Sequence, residues 1–265
     1  MIEFRNVCFK YPTFSLNNIN FKIKSGEIIA ITGNNASGKT TLIKLIAGIT
    51  KQKKGEILFN NTPLKKCADL RIGIIFQNPD NQIIFNNVYD DICFTLKNFN
   101  INKEEFDSRI DHALSLVGMQ DYKHKESFTL STGQKQRIAI ANMLAINPQV
   151  IIFDEASVYL DPLAKQSLYV IFQKLKQEGV TVIFTTNFIE EIIYADRVMI
   201  LKDGEILKFT NTQDIIKNLN CFRELNMPIP LKLELIEKLN LTDYSDLSIL
   251  KKLKVKWWLH LFYCL

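Results

Sequence analysis

The octapeptide GNNASGKT at residues 33–40 constrains this chain more than any other stretch. It matches G-x-x-x-x-G-K-[ST] in the setting that pattern needs, a strand before and a helix after. EIIAIT at 27–32 is a short isoleucine-rich run that reads as a buried strand. Residues 39–47 continue with helical spacing at Leu42, Leu45 and Ile46. Backbone N–H groups of Asn34, Asn35, Ala36 and Ser37, with the helix N-terminus, surround the β- and γ-phosphates of a nucleotide. Gly33 and Gly38 permit a backbone path that a Cβ would block. Lys39 supplies a point charge, and the hydroxyl of Thr40, followed by Thr41, can ligate Mg²⁺.

VIIFDE at 150–155 fits the second half of such a site. Asp154, ending a buried strand, can hold the Mg²⁺ shell, and Glu155 is placed to orient and deprotonate a water. VTVIF at 180–184 reads as another central strand, with a helix over 163–178 between them. Apolar strands alternating with helices predict an α/β fold with a parallel sheet covered on both faces. Asp203-Gly204, between two apolar runs, signals a hairpin, so the sheet should be mixed. A helix is predicted over 102–118. Asn102 and Glu105 resemble a capping box, Phe106, Ile110, Ala113, Leu114 and Val117 line one face, and Gly118 stops it. Residues 90–148 therefore read as a helical insert within a domain spanning 1–220. Pro228 and Pro230 then introduce a short helical extension over 221–265.

The chain has 265 residues, 47% of them hydrophobic, enough for a full core. Its net charge of +5, from 33 basic and 28 acidic side chains, is too small to argue for nucleic acid, and none is expected. Cys8, Cys67, Cys93, Cys221 and Cys264 are scattered and odd in number, as reduced thiols are. The N-terminus shows no secretory pattern, and no apolar run reaches the ~20 residues that cross a bilayer.

LSTGQKQRIAIA at 130–141 resembles the signature motif of ATP-binding cassette (ABC) ATPases. The resemblance spans about residues 1–215 and implies a phosphate-loop NTPase with ATP and Mg²⁺ as cofactors. It implies that Ser131, Thr132, Gly133 and Gln134 reach across an ATPase dimer, homo- or heteromeric, to the nucleotide of the partner. It implies that Tyr11 stacks on adenine, that Gln77 senses γ-phosphate and Mg²⁺, and that Asp161 in YLDP bridges the two sites. FQNPDNQIIFNNVYDDICFTLKNF and NMPIPLKLELIEKL are similar to stretches of the energy-coupling-factor (ECF) ATPases, importers of vitamins and metal ions. That similarity implies integral membrane partners contacted around residues 77–85, and a peripheral place on the cytoplasmic face of the cell membrane. Substrate selectivity would lie in a different protein. A soluble ABC protein of DNA repair or translation would instead have two cassettes or a long coiled coil.

Three residues depart from the family pattern. Ala36 replaces a glycine, tolerable if its φ is negative. Thr132 replaces the first glycine of the signature, and a β-branched residue narrows backbone choice there. Asn187 stands where the family has a histidine that bonds the γ-phosphate. Its amide can donate but cannot carry a proton charge. Asn187 is then a weaker sensor, or a cap for a helix starting at residue 188. The first reading leaves room for a hydrolysis-poor regulatory partner in a heterodimer. The tail ILKKLKVKWWLHLFYCL at 249–265 reads as packing on the extension or a partner, as contact with an anionic membrane, or as a frameshifted end.

Overall fold

The apolar runs expected to be strands are strands, and they lie side by side. The computed structural model describes residues 1–67 and 69–238. In chain order its elements are β1 (Ile2–Lys10), β2 (Ser15–Ile23), β3 (Ile28–Thr32), α1 (Lys39–Ile46), β4 (Lys54–Phe59), β5 (Thr62–Pro63), β6 (Ile72–Ile75), α2 (Val88–Asn98), α3 (Phe106–Val117), α4 (Thr132–Ala145), β7 (Val150–Asp154), α5 (Pro162–Gln177), β8 (Thr181–Thr186), β9 (Arg197–Lys202), β10 (Glu205–Asn211), α6 (Thr212–Ile216), α7 (Asn220–Glu224) and α8 (Leu231–Lys238). Six strands form a mixed sheet in the order β10-β9-β3-β8-β7-β6. Five of them run parallel, and only β10 opposes its neighbour. The hairpin forms where Asp203-Gly204 places it, with φ of 47° and 82° at the two turn residues.

The sheet separates two apolar layers, because alternate residues of a strand face opposite ways. Ile29, Ile31, Ile152 and Ile183 pack with Leu42, Leu45 and Ile46 of α1, beneath a second, antiparallel sheet ordered β2-β1-β4-β5. Ile28, Ala30, Ile151, Phe153, Val182 and Phe184 pack on the other face with α2 to α5. Both faces being covered, β3 and β8 are buried at every position. The antiparallel sheet is absent from the apolar-run reading, which also passes over β6.

The helix expected over 102–118 begins later. Residues 103–105 form a 3₁₀ turn, and Asn102 makes no side-chain cap bond. Arg109 takes the carboxylate the capping box needed, its Nε and Nη2 donating to Glu105 Oε2 at 2.9 and 2.7 Å. The apolar face is buried as expected, and Gly118 ends α3 in the left-handed region with φ of 68°. Helices α2, α3 and α4 lie between β6 and β7. Four cysteines among the described residues are free thiols. The tail at 249–265 lies outside the described residues.

Candidate active site

Strands β3, β8 and β7 are parallel neighbours, so their carboxyl ends share one edge. Thr32 pairs with Thr186, and Asp154 with Thr185. Ligands of open α/β sheets bind at such an edge. The phosphate loop leaves β3 through Gly33, whose φ is 145° and whose added Cβ would stand 2.2 Å from the Leu201 carbonyl oxygen. Ala36 does not meet the condition of a negative φ: it sits at φ 63°. The left-handed region costs an L-residue about 1–3 kcal/mol, while alanine saves about 0.4–1 kcal/mol of unfolded-chain entropy relative to glycine. Ala36→Gly is therefore expected to stabilise the chain by about 1 kcal/mol, raising the thermal midpoint by about 2–4 °C. An unchanged or lower midpoint in a thermal melt counts against strain at this position.

Lys39 is 6% exposed, and its Nζ donates to the carbonyls of Gly33 at 2.8 Å and Asn34 at 3.1 Å. Burial pushes its pKa down, while the Glu155 and Asp154 carboxylates pull it up. A buried ammonium with two carboxylates nearby and a cradle of backbone N–H groups suits a metal-bound polyphosphate. The loop is braced on three sides. Gly204 N–H donates to the Ser37 carbonyl at 3.1 Å. Asn34 Nδ2 donates to the Leu225 carbonyl, just past α7, at 3.0 Å. The Phe14 ring lies where a Cβ on Gly38 would come within 2.7 Å of it. The Phe14 carbonyl in turn accepts from Tyr11 N–H at 2.7 Å. Tyr11 thus stands beside the loop, exposed, its ring edge-on to Phe9.

The acidic side is organised by a residue the sequence reading passed over. Thr185 Oγ1 donates to Asp154 Oδ1 at 2.9 Å and accepts from Glu155 N–H at 2.9 Å. Burial raises the Asp154 pKa, opposed by Thr185, Lys39, Lys44 and the Thr40 hydroxyl. Glu155 adopts φ 51°, an uncommon backbone state for a glutamate. Its Oε1 accepts from Asn187 Nδ2 at 3.0 Å. Asn187 caps no helix. The turn Ile189–Tyr194 is 3₁₀, and Thr186 Oγ1 accepts from Phe188 N–H at 3.0 Å in its place. Asn187 Oδ1 is buried without a protein partner.

Lys39, Thr40, Asp154, Glu155 and Asn187 come together at this edge. The remaining expected residues sit on other segments. Ser131 caps α4, its Oγ accepting from Gln134 N–H at 3.3 Å while Gln134 Oε1 accepts from Ser131 N–H at 2.9 Å. Thr132 starts the helix without strain, and Ser131 and Thr132 are exposed. Gln134 Nε2 also donates to Tyr122 Oη at 2.9 Å. Asp161 caps α5 by accepting from Ala164 N–H at 2.9 Å. Gln77 is half-buried in the segment after β6. Gln82 fastens that segment, donating to the Ile74 carbonyl at 2.8 Å and accepting from Phe76 N–H at 2.9 Å.

A phosphate loop facing an acidic strand end, with a capped Ser-x-Gly-Gln helix in the opposite layer, defines an ATP-binding cassette. The chain belongs to the ABC transporter family, whose model matches residues 16–158, and it is a transport ATPase. Its relatives narrow the group. It is 36% identical over 252 residues to the energy-coupling factor transporter ATP-binding protein EcfA of Methanocaldococcus jannaschii, covering 92% of this chain and 90% of that one. Its fold is similar to cbiO1 of Clostridium perfringens, part of the ABC transporter complex cbiONQ. The TM-score is 0.77 at 34% identity, covering 89% and 98% of the two chains. The cassette MJ0796, a dimer in a post-hydrolysis state bound to ADP and Pi, matches with TM-score 0.68 at 28% identity, covering 80% and 98%.

Proposed function

We propose that this chain hydrolyses MgATP at the carboxyl edge of the sheet and powers an ECF-type importer through separate integral membrane subunits. The observation that carries this reading is the convergence of Lys39, Asp154, Glu155 and Asn187, fixed through Thr185. Lys39 holds the phosphates. Glu155 takes a proton from the attacking water. Asn187 donates to Glu155 and keeps its carboxylate turned to the site. Thr40 and Asp154 offer the hard oxygen donors that Mg²⁺ prefers, and the ion, when bound, neutralises charge on the phosphate oxygens. Tyr11 faces the adenine, and Gln77 reports on the γ-phosphate. A second ATPase subunit completes each site, with Ser131, Thr132, Gly133 and Gln134 of this chain reaching the nucleotide held there and Asp161 lying between the two.

No helix among the described residues is long and apolar enough to cross a membrane. Attachment to the cytoplasmic face then needs a docking surface, and one stands beside Gln77. Ile84 is 68% exposed, and Phe76, Phe85, Phe94 and Phe99 are exposed around it. A cavity of about 210 Å³ opens between Ile84, Phe94, Phe99 and Met143. Its rim is rigid. Asp91 Oδ1 accepts from the N–H groups of Ile84 and Phe85 at 2.8 and 3.0 Å, and its Oδ2 from Asn142 Nδ2 at 2.6 Å. Contiguous apolar surface of this kind marks an interaction site. Ile84→Asp with Phe85→Asp is expected to abolish co-purification with membrane subunits while ATP binding persists. Undiminished recovery of the membrane subunits would remove this surface from the proposal.

A second reading, a hydrolysis-poor partner in a heterodimer, is favoured by one observation. Asn187 gives its amide N–H to Glu155 at 3.0 Å, a neutral donor that cannot carry a proton charge as a histidine would.

A further inference from the structure

The strand end that carries Asn187 is held by a carboxylate with no part in the hydrolysis described above. Glu191 lies in the turn Ile189–Tyr194 and is 3% exposed. Its Oε2 accepts from Thr186 Oγ1 at 2.5 Å and from Ser157 Oγ at 2.9 Å. Its Oε1 accepts from Lys165 Nζ at 3.2 Å. Each donor belongs to a different working segment. Thr186 precedes Asn187, and its hydroxyl also accepts from Phe188 N–H, so its bonds bracket the asparagine. Ser157 stands between Glu155 and Asp161 in the chain. Lys165 sits one turn into α5, its N–H bonded to the Asp161 carbonyl at 2.9 Å and its ammonium 4.4 Å from the Phe188 ring centroid.

A buried carboxylate is a costly way to fill space, and an apolar side chain of similar volume often stabilises as well or better. What a carboxylate offers here is three simultaneous acceptances from three directions. We propose that Glu191 is a positioning residue for hydrolysis, holding the Glu155–Asn187 pair and the segment leading to Asp161 in register. The inference rests on the reading of Glu155 as the base. Glu191 acts through Thr186 and Ser157, not on the reacting atoms.

The test is single-turnover hydrolysis and ATP affinity of the full chain assembled with its transporter subunits. Glu191→Gln keeps the shape but places an amide among donors. It is expected to slow hydrolysis by about ten- to a hundred-fold through misplacement of the pair, with ATP affinity unchanged. Thr186→Val should give the same loss, and Thr186→Ser, which keeps the hydroxyl, should restore the native rate. The double variant Glu191→Gln with Thr186→Val should be no slower than Glu191→Gln alone, since the valine breaks a connection that the glutamine already disturbs. A native rate in Glu191→Gln alongside a dead Glu155→Gln overturns the role of Glu191 alone. So do strictly additive losses, or a rate that falls only in step with the fraction of folded protein. Normal turnover in Glu155→Gln overturns both this inference and the site reading beneath it.

Discussion

Lys39→Ala is expected to abolish MgATP binding. The ammonium is buried and bonds two carbonyls of its own loop, at 2.8 and 3.1 Å, so its position is set before any phosphate arrives. Alanine removes the one cationic side chain that the loop motif supplies to the phosphates. A charge-assisted hydrogen bond is worth about 1.5–3 kcal/mol, so two such bonds from the ammonium to the phosphates, once lost, lower affinity by about a hundred-fold or more. The Asp154 and Glu155 carboxylates, which now pull the Lys39 pKa upward, would then face the phosphates without its charge between them. Nucleotide titration of the purified chain by calorimetry checks this. Unchanged affinity would sink the assignment of residues 33–40.

The Glu155–Asn187 pair carries the second large effect. Glu155→Gln should lower single-turnover hydrolysis by about 10²–10⁴-fold, the usual contribution of a positioned base, and leave ATP bound. Glutamine keeps an oxygen for Asn187 Nδ2 and leaves the bond between Thr185 and the residue 155 backbone intact. Asn187→His should raise turnover by about ten-fold or more if a charge-assisted bond worth about 1.5–3 kcal/mol returns to the transition state. The gain shrinks if a second subunit's site does most of the work. Equal, slow rates for the native chain and Asn187→Ala would mean that the hydrogen bond to Glu155 contributes nothing. No gain from histidine would make asparagine an adequate substitute and remove the main support for the hydrolysis-poor reading.

Strands β3, β7 and β8 were legible because they are buried on both faces, which writes them as unbroken apolar runs: IIAIT, VIIF and TVIF. The outer sheet was not, for the opposite reason. In β1 and β2 polar residues alternate with buried ones, and register shifts break the alternation around Asn6, which sits at φ 48°. The acidic and basic ends of the site were local motifs. The connections between them were not. Thr185 and Thr186 look like ordinary β-branched strand residues, and their partners lie on other strands and turns. A signal existed in the two hydroxyls at the end of a run otherwise apolar, since buried polar groups need partners. The φ of Ala36 is not legible in the sequence, because it is a property of the closed loop rather than of the residue. Glu105 was misjudged because a sequence cannot say which of two nearby donors a carboxylate will take.

The bond from Asn34 to the Leu225 carbonyl has a practical bearing. It joins the second residue of the phosphate loop to a position 191 residues further on. A chain shortened to its first 220 residues would still carry every motif of the cassette. Its loop would nevertheless have one restraint fewer and an exposed amide seeking a new acceptor. Affinities and rates gathered on such a fragment would describe a differently tuned enzyme. The last helices therefore belong in any measurement of how this protein handles its nucleotide.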